Sequence, residues 1–482
     1  MQKSIGHANG AGLTIDPMSL VAGYTSDGTG IQATLLRITR HSATLQIENP
    51  NMVLRVSEII TDFSIIIRDQ TIYSGRGLVR AVVNSGLAII CELTLEETSW
   101  RDIAVSPEMI VEGKLKSEFQ EFLGEWQKLY RVVPEYKLVV ADMQTFLSDM
   151  RLWVDQVELG IRSFPAGDRL HFEKSTVEAL SHSIISPVDA LFERFEAIAD
   201  QLAEEVRPTH RNYMRRQLHP FVLSAPFAYR AFHKPLGYAG DYQLVNMMAH
   251  NVPQGGSLFA KLVDAWFLHQ PPAEAHRNRI NYLTEALNRE TLRIKQAGRV
   301  AKICSVACGP AMEVQKFIAE NPLNQFAEFT LVDFNEETLQ HVNEEISKSG
   351  NRHQSLAPVK LSKKSVQQIL KEFGRPTSRT PQFDFVYCAG LFDYLPDYIC
   401  KKLMDVMYEW LKPGGLLLAT NVTPSNPHRH GMEHLLDWHL IYRTGDEFMK
   451  VAPGRAASEN AVVRADTTGV NIFLEVRKPS DA

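Results

Sequence analysis

Several features that would narrow the function are missing from this sequence of 482 residues. It has only five cysteines, none of them in a C-x-x-C pair, which argues against disulfides and against a metal site. No apolar stretch approaches the length that spans a bilayer, and the N-terminus lacks the basic start and apolar run of a signal peptide. We therefore expect a reduced, cytoplasmic protein without an integral membrane segment.

Concentrated positive charge is also missing. The formal net charge is -5, and the densest basic run, residues 207–219, is short enough to be a solvated helix face. Binding of nucleic acid through its phosphates needs clustered Lys and Arg. No nucleic-acid partner is expected.

What the chain does contain is apolar residues, at 44%, enough for two or three domains. In residues 19–97, short β-branched runs alternate with polar residues and are separated by Gly, Asn and Asp. This pattern predicts a small antiparallel barrel or sandwich, and we assign residues 1–112 to it.

The period then changes to that of helices. Apolar side chains recur three or four residues apart at Met143, Phe146, Met150, Trp153 and Val157. Residues 113–217 are predicted to form long helices, packed as a bundle or as an arm that pairs two chains into a homodimer. We expect this stripe of apolar side chains to lie in the core of the helical region.

Residues 218–482 are assigned to a third domain, with helices at its start and alternating strands and helices from Arg299 onward. Such alternation predicts a Rossmann-like α/β domain, whose parallel sheet is covered on both faces. Residues 459–479 are expected to add a final antiparallel hairpin.

A glycine turn follows the first strand of this domain, in "VACGPAMEV". It lacks the Lys and Ser/Thr of a P-loop, and Ala307 and Ala311 stand where a dinucleotide turn has glycines around Gly309. S-adenosylmethionine (SAM) carries no phosphate, so it only needs the backbone to pass close beneath it. The turn therefore favours SAM.

Two further strand ends support SAM. Asp333 and Phe334 end the strand "FTLVDF", where a carboxylate can accept both ribose hydroxyls, although Asp333 could instead only cap the next helix. The strand "FDFVYCAG" ends in Ala389 and Gly390, and the loop after it places Asp393 and Tyr394 in the pocket wall. We predict a class I SAM-dependent methyltransferase domain.

With these motifs, residues 218–482 resemble the bacterial methyltransferases that make 3-hydroxypalmitic acid methyl ester, an extracellular factor of quorum sensing. "KPLGYAGDY" and "LDWHLIYR" are specific to that group, and "AHRNRI", "FDYLPDY" and "LKPGGLLLATN" also match. The resemblance implies methylation of a carboxylate, with a hydroxylated fatty acid as the lipid-like substrate.

The N-terminal strands resemble a PilZ domain, a barrel that often binds cyclic di-GMP. Ser42 of the family's D/N-x-S-x-x-G motif is present, but Arg40 and Leu45 replace the acidic or amide residue and the glycine. The R-x-x-x-R motif that precedes it in the family is not recognisable here, and cyclic di-GMP needs those arginines, so we expect a structural or protein-contacting barrel that does not bind the nucleotide.

A carboxylate is already ionised at neutral pH, so its methylation needs no general base. The site instead needs a group that binds the carboxylate anion, an apolar pocket for the rest of the substrate, and a lid. "MEHLLDWHLIYR" is expected to be a helix with His434 and Trp438 on one face. The catalytic, positioning candidates are His434, Arg443 and Tyr238, and the substrate-binding candidates are Arg230, Lys234, Asp393, Tyr394 and Trp438.

The amino group of the methionine moiety needs a carboxylate, yet Ser305 stands where many methyltransferases have an acidic residue. Asp241 in "KPLGYAGDY" and Glu313 after the glycine turn are the two candidates, unless Asp241 only caps a helix.

Two other functions stay open. One is methylation of an amine or hydroxyl of another small metabolite, with His428, His430 or His434 as the base. The other is a non-catalytic protein that senses SAM. A long apolar channel next to the methyl group favours the fatty acid, a small polar pocket the first alternative, and a blocked pocket the second.

Overall fold

The structure is a computed structural model, and by backbone contacts the chain divides into two compact units, Met1–Leu115 and Lys116–Ala482. Each unit is described by itself. The structure describes residues 19–39, 41–49, 52–67, 70–84, 88–96, 99–100, 132–350, 357–373, 382–456 and 458–480.

The first unit is a closed antiparallel barrel, so the prediction of a small β-barrel is confirmed. Its strands follow one another around the barrel in the order β1-β2-β3-β6-β5-β4. Side chains alternate between buried and exposed along β2, which places one face of each strand in the core. The strands are β1 (Ser19–Tyr24), β2 (Gly30–Ile38), β3 (Ser42–Ile47), β4 (Ile59–Ile67), β5 (Gln70–Asn84) and β6 (Ile89–Leu95).

The stretch that resembles the PilZ motif lies at the junction of β2 and β3. Ser42 begins β3, and its hydroxyl is 2.9 Å from that of Thr39. Arg40 lies outside the described residues. The absence of cyclic di-GMP binding stays a prediction.

The second unit begins with long helices, as predicted. Two antiparallel helices, α1 (Pro134–Arg162) and α2 (Ala166–Asp200), pack along each other. Met143 is buried, but Trp153 is 54% exposed, so the predicted core stripe does not include Trp153. The reason is that this part of α1 has a narrower buried face, which centres on Val154.

Ten shorter helices complete the described part of this unit up to its last hairpin, apart from short 3₁₀ turns and a five-residue helix, α13 (Gly445–Met449). Proline is the first residue of α4 and of α7, where its missing N–H costs nothing. The ten are α3 (Arg207–Val222), α4 (Pro226–His233), α5 (Tyr242–His250), α6 (Leu258–His269), α7 (Pro271–Gln296), α8 (Met312–Glu320), α9 (Glu336–Gly350), α10 (Val366–Phe373), α11 (Asp397–Glu409) and α12 (Arg429–Leu435).

A seven-stranded sheet forms the centre of the α/β part, in the order β12-β13-β11-β10-β7-β8-β9. Strands β7 to β11 pair in parallel, and β13 runs antiparallel to β11. The predicted hairpin of β12 and β13 is confirmed. The strands are β7 (Ala301–Val306), β8 (Ala327–Asp333), β9 (Val359–Lys363), β10 (Phe383–Cys388), β11 (Leu411–Val422), β12 (Ala461–Ala465) and β13 (Asn471–Arg477).

The strand order fixes where a ligand can bind. From β7 the chain continues to β8 on one side, whereas β10 pairs with β7 on the other side. In such a sheet the crevice opens at the carboxyl ends of the two central strands. The loops after β7, β8 and β10 therefore meet at one edge.

One apolar cluster joins the helical region to the α/β part. It includes Tyr136 of α1, Phe195 of α2, Leu262 of α6 and Leu435 of α12. The helices α1 to α3 thus share their core with residues that come after position 218.

The five cysteines are buried free thiols, and burial raises the pKa of Cys304 to about 12. Within the described ranges, no helix has both the length and the apolar character required to cross a bilayer.

Candidate active site

The turn after β7 has an unusual backbone. Ala307, Gly309 and Ala311 have φ values of 54°, 52° and 51°, in the left-handed region that favours glycine. The alanines therefore adopt, at a cost of roughly 1–2 kcal/mol each, the conformation that glycines have in related turns. A Cβ added at Gly309 would meet no atom within 4 Å, so the backbone here borders open space.

Asp333 connects the turn to the neighbouring strand. It ends β8 and is buried, and its Oδ2 accepts a hydrogen bond from the backbone N–H of Gly309 at 3.1 Å. The next helix, α9, is capped by Asn335, whose Oδ1 accepts from the N–H of Thr338 at 2.9 Å. The alternative that Asp333 only caps this helix is therefore wrong. The residue after Asp333 is Phe334, and its ring lies against that of Tyr238, with centroids 5.1 Å apart.

Glu313 lies in the first turn of α8 and is buried. The hydroxyl of Tyr387, on β10, donates to its Oε1 at 2.7 Å. Burial raises the pKa of Glu313, while this hydrogen bond and the charge of Arg279 oppose the change. A cationic ligand group beside it would lower that pKa and favour the ionised carboxylate.

A large cavity opens at the carboxyl ends of β10 and β11. It encloses about 990 Å³, including the part that is open to solvent. Most of its lining is apolar, with Phe192, Trp266, Met432 and Leu436 among its walls. Of the predicted site residues, the cavity is lined by Gly390, Asp393, Tyr394 and Trp438.

Three of the resemblance motifs meet in this wall. The indole Nε1 of Trp438 donates to the hydroxyl of Tyr394 at 2.9 Å. Gly240 packs against this pair, because a Cβ added there would lie 2.9 Å from that hydroxyl. "KPLGYAGDY", "FDYLPDY" and "LDWHLIYR" therefore build one surface.

Arg279 is a cationic residue of the cavity wall that the sequence analysis did not select. It lies on α7, lines the cavity, and approaches Gly390 so closely that a Cβ there would be 2.8 Å from its Nη1. Its Nη2 is 2.7 Å from Nδ1 of His276, and among the described residues no carboxylate forms an ion pair with the guanidinium. Burial lowers the pKa of Arg279, and the charge of Asp393 opposes that change.

"AHRNRI" contains Arg279 and was the available signal, but its four polar residues resemble a solvated face. The adjacent Arg277 does have an ordinary structural role, since its Nη1 donates to the carbonyl oxygens of Met248 and Leu268. Only the fold distinguishes the two arginines.

Two of the predicted substrate-binding cations instead bind other groups of the protein, in or next to the "KPLGYAGDY" loop. The Nε of Arg230 donates to Oδ1 of Asp241 at 2.7 Å, and Nζ of Lys234 donates to the carbonyl oxygen of Leu436 at 3.3 Å. Neither cation is among the described residues that line the cavity.

Asp241 caps α5. Its Oδ1 accepts from the backbone N–H groups of Gln243 and Leu244 at 3.1 and 3.0 Å. The capping role that was left open is therefore present.

The predicted helix around His434 is shorter than expected. Helix α12 ends at Leu435, and Asp437 has a left-handed φ of 53° and is paired with Arg215 at 2.8 Å. The expectation that His434 and Trp438 share one helix face is therefore wrong. Trp438 reaches the cavity, whereas the fully buried His434 has its Nδ1 2.8 Å from the hydroxyl of Tyr136.

Electrostatics also disfavour His434 as a cation. Burial and the nearby charges of Arg211 and Arg215 hold its pKa well below the usual range, so its ring is neutral. These two arginines belong to the basic run that was expected to be a solvated face. Arg211 is instead buried.

Arg443 is fully buried behind the sheet edge. Its Nη1 donates to the carbonyl oxygen of Phe392 and to Oδ1 of Asn421, and its Nη2 donates to Asp397. The guanidinium is thus engaged within the protein and does not line the cavity.

Comparison with known proteins identifies a domain type in part of the chain. Residues 305–417 match a family model described as a methyltransferase domain. No curated protein sequence matches the chain.

Three solved structures show a weak similarity to parts of the chain. A possible exported protein from Bordetella parapertussis is 17% identical, with a TM-score of 0.40 and coverage of 58% of this chain and 99% of the other. Magnesium protoporphyrin IX methyltransferase from Synechocystis has 10% identity, a TM-score of 0.31 and coverage of 43% and 84%. The N-methyltransferase NodS from Bradyrhizobium japonicum is 16% identical, with a TM-score of 0.30 and coverage of 50% of this chain and 98% of the other. Since all TM-scores are below 0.5, the assignment rests on the family model, strand order and site geometry.

The turn, the acidic strand end and the family model define the class: the protein is a SAM-dependent methyltransferase. The geometry fits its cofactor, because the space beside Gly309 is open and the buried carboxylate of Asp333 borders it. The prediction of SAM as the cofactor is confirmed.

Proposed function

We propose that the protein methylates the carboxylate of an acid with an apolar tail, such as a 3-hydroxy fatty acid, to give the methyl ester. The observation that carries this proposal is the guanidinium of Arg279 in a mostly apolar cavity, without an ion pair to a carboxylate among the described residues. A cation in an apolar cavity without a carboxylate bound to it favours an anionic ligand.

SAM supplies an electrophilic methyl group, which would pass to a carboxylate oxygen with S-adenosylhomocysteine as the leaving thioether and no proton released. The chain's own residues align the acceptor and exclude water. In this proposal Arg279 binds the acceptor carboxylate, while Asp393, Tyr394 and Trp438 form the wall against which it rests.

Cofactor-binding roles are proposed for the residues around the turn. Asp333 would accept the ribose hydroxyls, with Ala307, Gly309 and Ala311 beneath the ligand and Ala389 and Gly390 on its other side. Phe334 and Tyr238 would flank the nucleoside. Glu313 is the better candidate than Asp241 for the amino group, because Asp241 already accepts three hydrogen bonds.

One observation favours a second function, methylation of a hydroxyl or amine. His428 lines the cavity, and burial lowers its pKa to about 4, so the ring is neutral at pH 7 and able to accept a proton. A non-catalytic sensor is disfavoured by the open volume of the cavity.

Calorimetry with S-adenosylhomocysteine tests the cofactor site. We expect Asp333→Ala to weaken binding by about tenfold or more, since it removes charge-assisted hydrogen bonds to the ribose. Unchanged binding in this variant would contradict the assignment of Asp333.

Methyl transfer from labelled SAM to palmitate and 3-hydroxypalmitate tests the acceptor. Arg279→Met is expected to lower kcat/KM by about a hundredfold, on the order of 3 kcal/mol, because a charge-assisted contact is lost. Arg289→Met, which alters a half-exposed arginine of the same helix, is the matched control and should retain activity.

Two outcomes would revise the proposal. If Arg279→Met weakens S-adenosylhomocysteine and leaves the KM of the acid unchanged, the guanidinium binds the methionine carboxylate instead. If no acid is methylated, while a hydroxyl or amine acceptor is and His428→Gln abolishes that activity, the second function is correct.

A further inference from the structure

A second cavity lies among the helices next to the acceptor cavity. It encloses about 470 Å³, including any part open to solvent, and its walls come from α1, α2, α3 and α6. Every residue that lines it is apolar, with Met143, Val188, Leu218 and Val263 as examples from the four helices. Water gains little in such a space, because it finds no hydrogen-bond partners.

The two cavities share a wall. Phe192, Trp266 and Phe267 line both of them. The rings of Phe192 and Trp266 lie against each other with centroids 4.4 Å apart. The indole is tethered, since its Nε1 donates to Oδ1 of Asp189 at 2.8 Å. Phe192 has no polar atom and is held by apolar packing, including ring contacts with Phe195 and Trp266.

We propose that the second cavity receives the distal part of the acceptor's apolar tail, with Phe192 and Trp266 as the partition that the tail must pass. The inference rests on the proposed function, because it takes the acceptor carboxylate to lie at Arg279. Three features support a tail as the occupant: the shared wall, the wholly apolar lining, and the flexible side chains of Met143 and Met150, which adapt to different shapes.

This assignment gives the helical region a role in specificity. Acceptor length would be measured by α1, α2, α3 and α6, and not by the α/β part. Short acids would end at the aromatic partition, and long acids would gain affinity from each methylene that leaves water beyond it.

Binding of octanoate and palmitate to the full chain, in the presence of S-adenosylhomocysteine, tests the inference by calorimetry. We expect the unmodified protein to bind palmitate at least about tenfold more tightly than octanoate. Val188→Phe fills the second cavity and should reduce this preference by about tenfold, with octanoate binding unchanged.

Val263→Phe fills the same cavity from another helix and replaces Val188→Phe if that variant does not fold. Val177→Phe adds the same atoms to a buried position of α2 that lines neither cavity, and it should keep the preference.

The inference and the proposed function fail separately. Palmitate binding that tolerates both filling variants, or ester formation without dependence on chain length, overturns the tail cavity. Length-dependent binding that the filling variants abolish supports the tail cavity, whether or not an acid is methylated. If no acid is methylated in that case, only the proposed reaction is overturned.

Discussion

Gly240 illustrates how a single residue can shape the acceptor site. It has a φ of 71°, and the hydroxyl of Tyr394 occupies the space where its Cβ would be. Any side chain here would strain the backbone and separate Tyr394 from the loop. The glycine thus keeps the Tyr394–Trp438 pair in the cavity wall.

Gly240→Ala is expected to lower the affinity for the acceptor and to destabilise the second unit by about 2–3 kcal/mol, from backbone strain and the contact with Tyr394. Gly469→Ala is the matched control, since Gly469 has a φ of 72° but open space around its Cβ position. It should cost only about 1–2 kcal/mol, which is the strain alone. Urea unfolding measures both, and equal losses would contradict the close packing at Gly240.

The residues that sequence analysis located follow local rules. Gly309 and Asp333 lie at the ends of adjacent parallel strands, and strand order alone brings such ends together. Arg230, His434 and Arg443 were selected for their chemical type, but tertiary partners engage all three. Arg279 precedes the first strand on a helix, and nothing in its local sequence distinguishes it from Arg277.

At the scale of elements, the sequence predicted the existence of helices and strands better than their ends. The apolar spacing of "MEHLLDWHLIYR" continues past Leu435, but α12 stops there. The stop depends on Arg215 of α3, which pairs with Asp437 in its left-handed conformation. A residue more than two hundred positions away cannot be read from the local pattern.

The start of α12 also depends on another helix. Glu196 of α2 accepts hydrogen bonds from the backbone N–H groups of His430 and Gly431 at 3.0 and 2.7 Å. Burial raises the pKa of this carboxyl from 4.5 to about 7, although both hydrogen bonds oppose the change. The folded protein therefore binds this proton more tightly than the unfolded chain does.

A raised acid pKa has a definite sign in the stability profile. The contribution of Glu196 is complete below about pH 4.5 and is lost as the pH rises towards 7, by about 3 kcal/mol at most. Because Glu196→Gln cannot ionise, the free energy of unfolding of the unmodified protein, minus that of the variant, should fall over this range.

Urea unfolding between pH 4.5 and pH 8 measures that difference. Glu193→Gln makes the same change at an exposed position of the same helix and is the matched control. A flat profile for Glu196→Gln would mean that this carboxyl does not titrate with folding.

At the scale of the whole molecule, the residue pattern of the sequence distinguished a β-rich part, a helical part and an α/β part. It did not predict that the helical part and the α/β part share a core. Tyr136 and Phe195 of the helical part pack in one cluster with Leu262 and Leu435. Periodicity predicts which face of a helix is buried, but it does not identify the partner that covers this face.

The shared core makes a prediction about fragments. The fragment Lys116–Ala482 contains every residue that lines both cavities and the whole glycine turn, so it should fold and bind S-adenosylhomocysteine within about twofold of the full chain. The fragment 218–482 lacks Tyr136 and Phe195 and would expose the apolar cluster that they cover. It should be insoluble or unfolded.

Circular dichroism and calorimetry on the two fragments measure this contrast. If the shorter fragment folds and binds with equal affinity, the helical region is a separate domain, and the cavity in it does not belong to the enzyme's site.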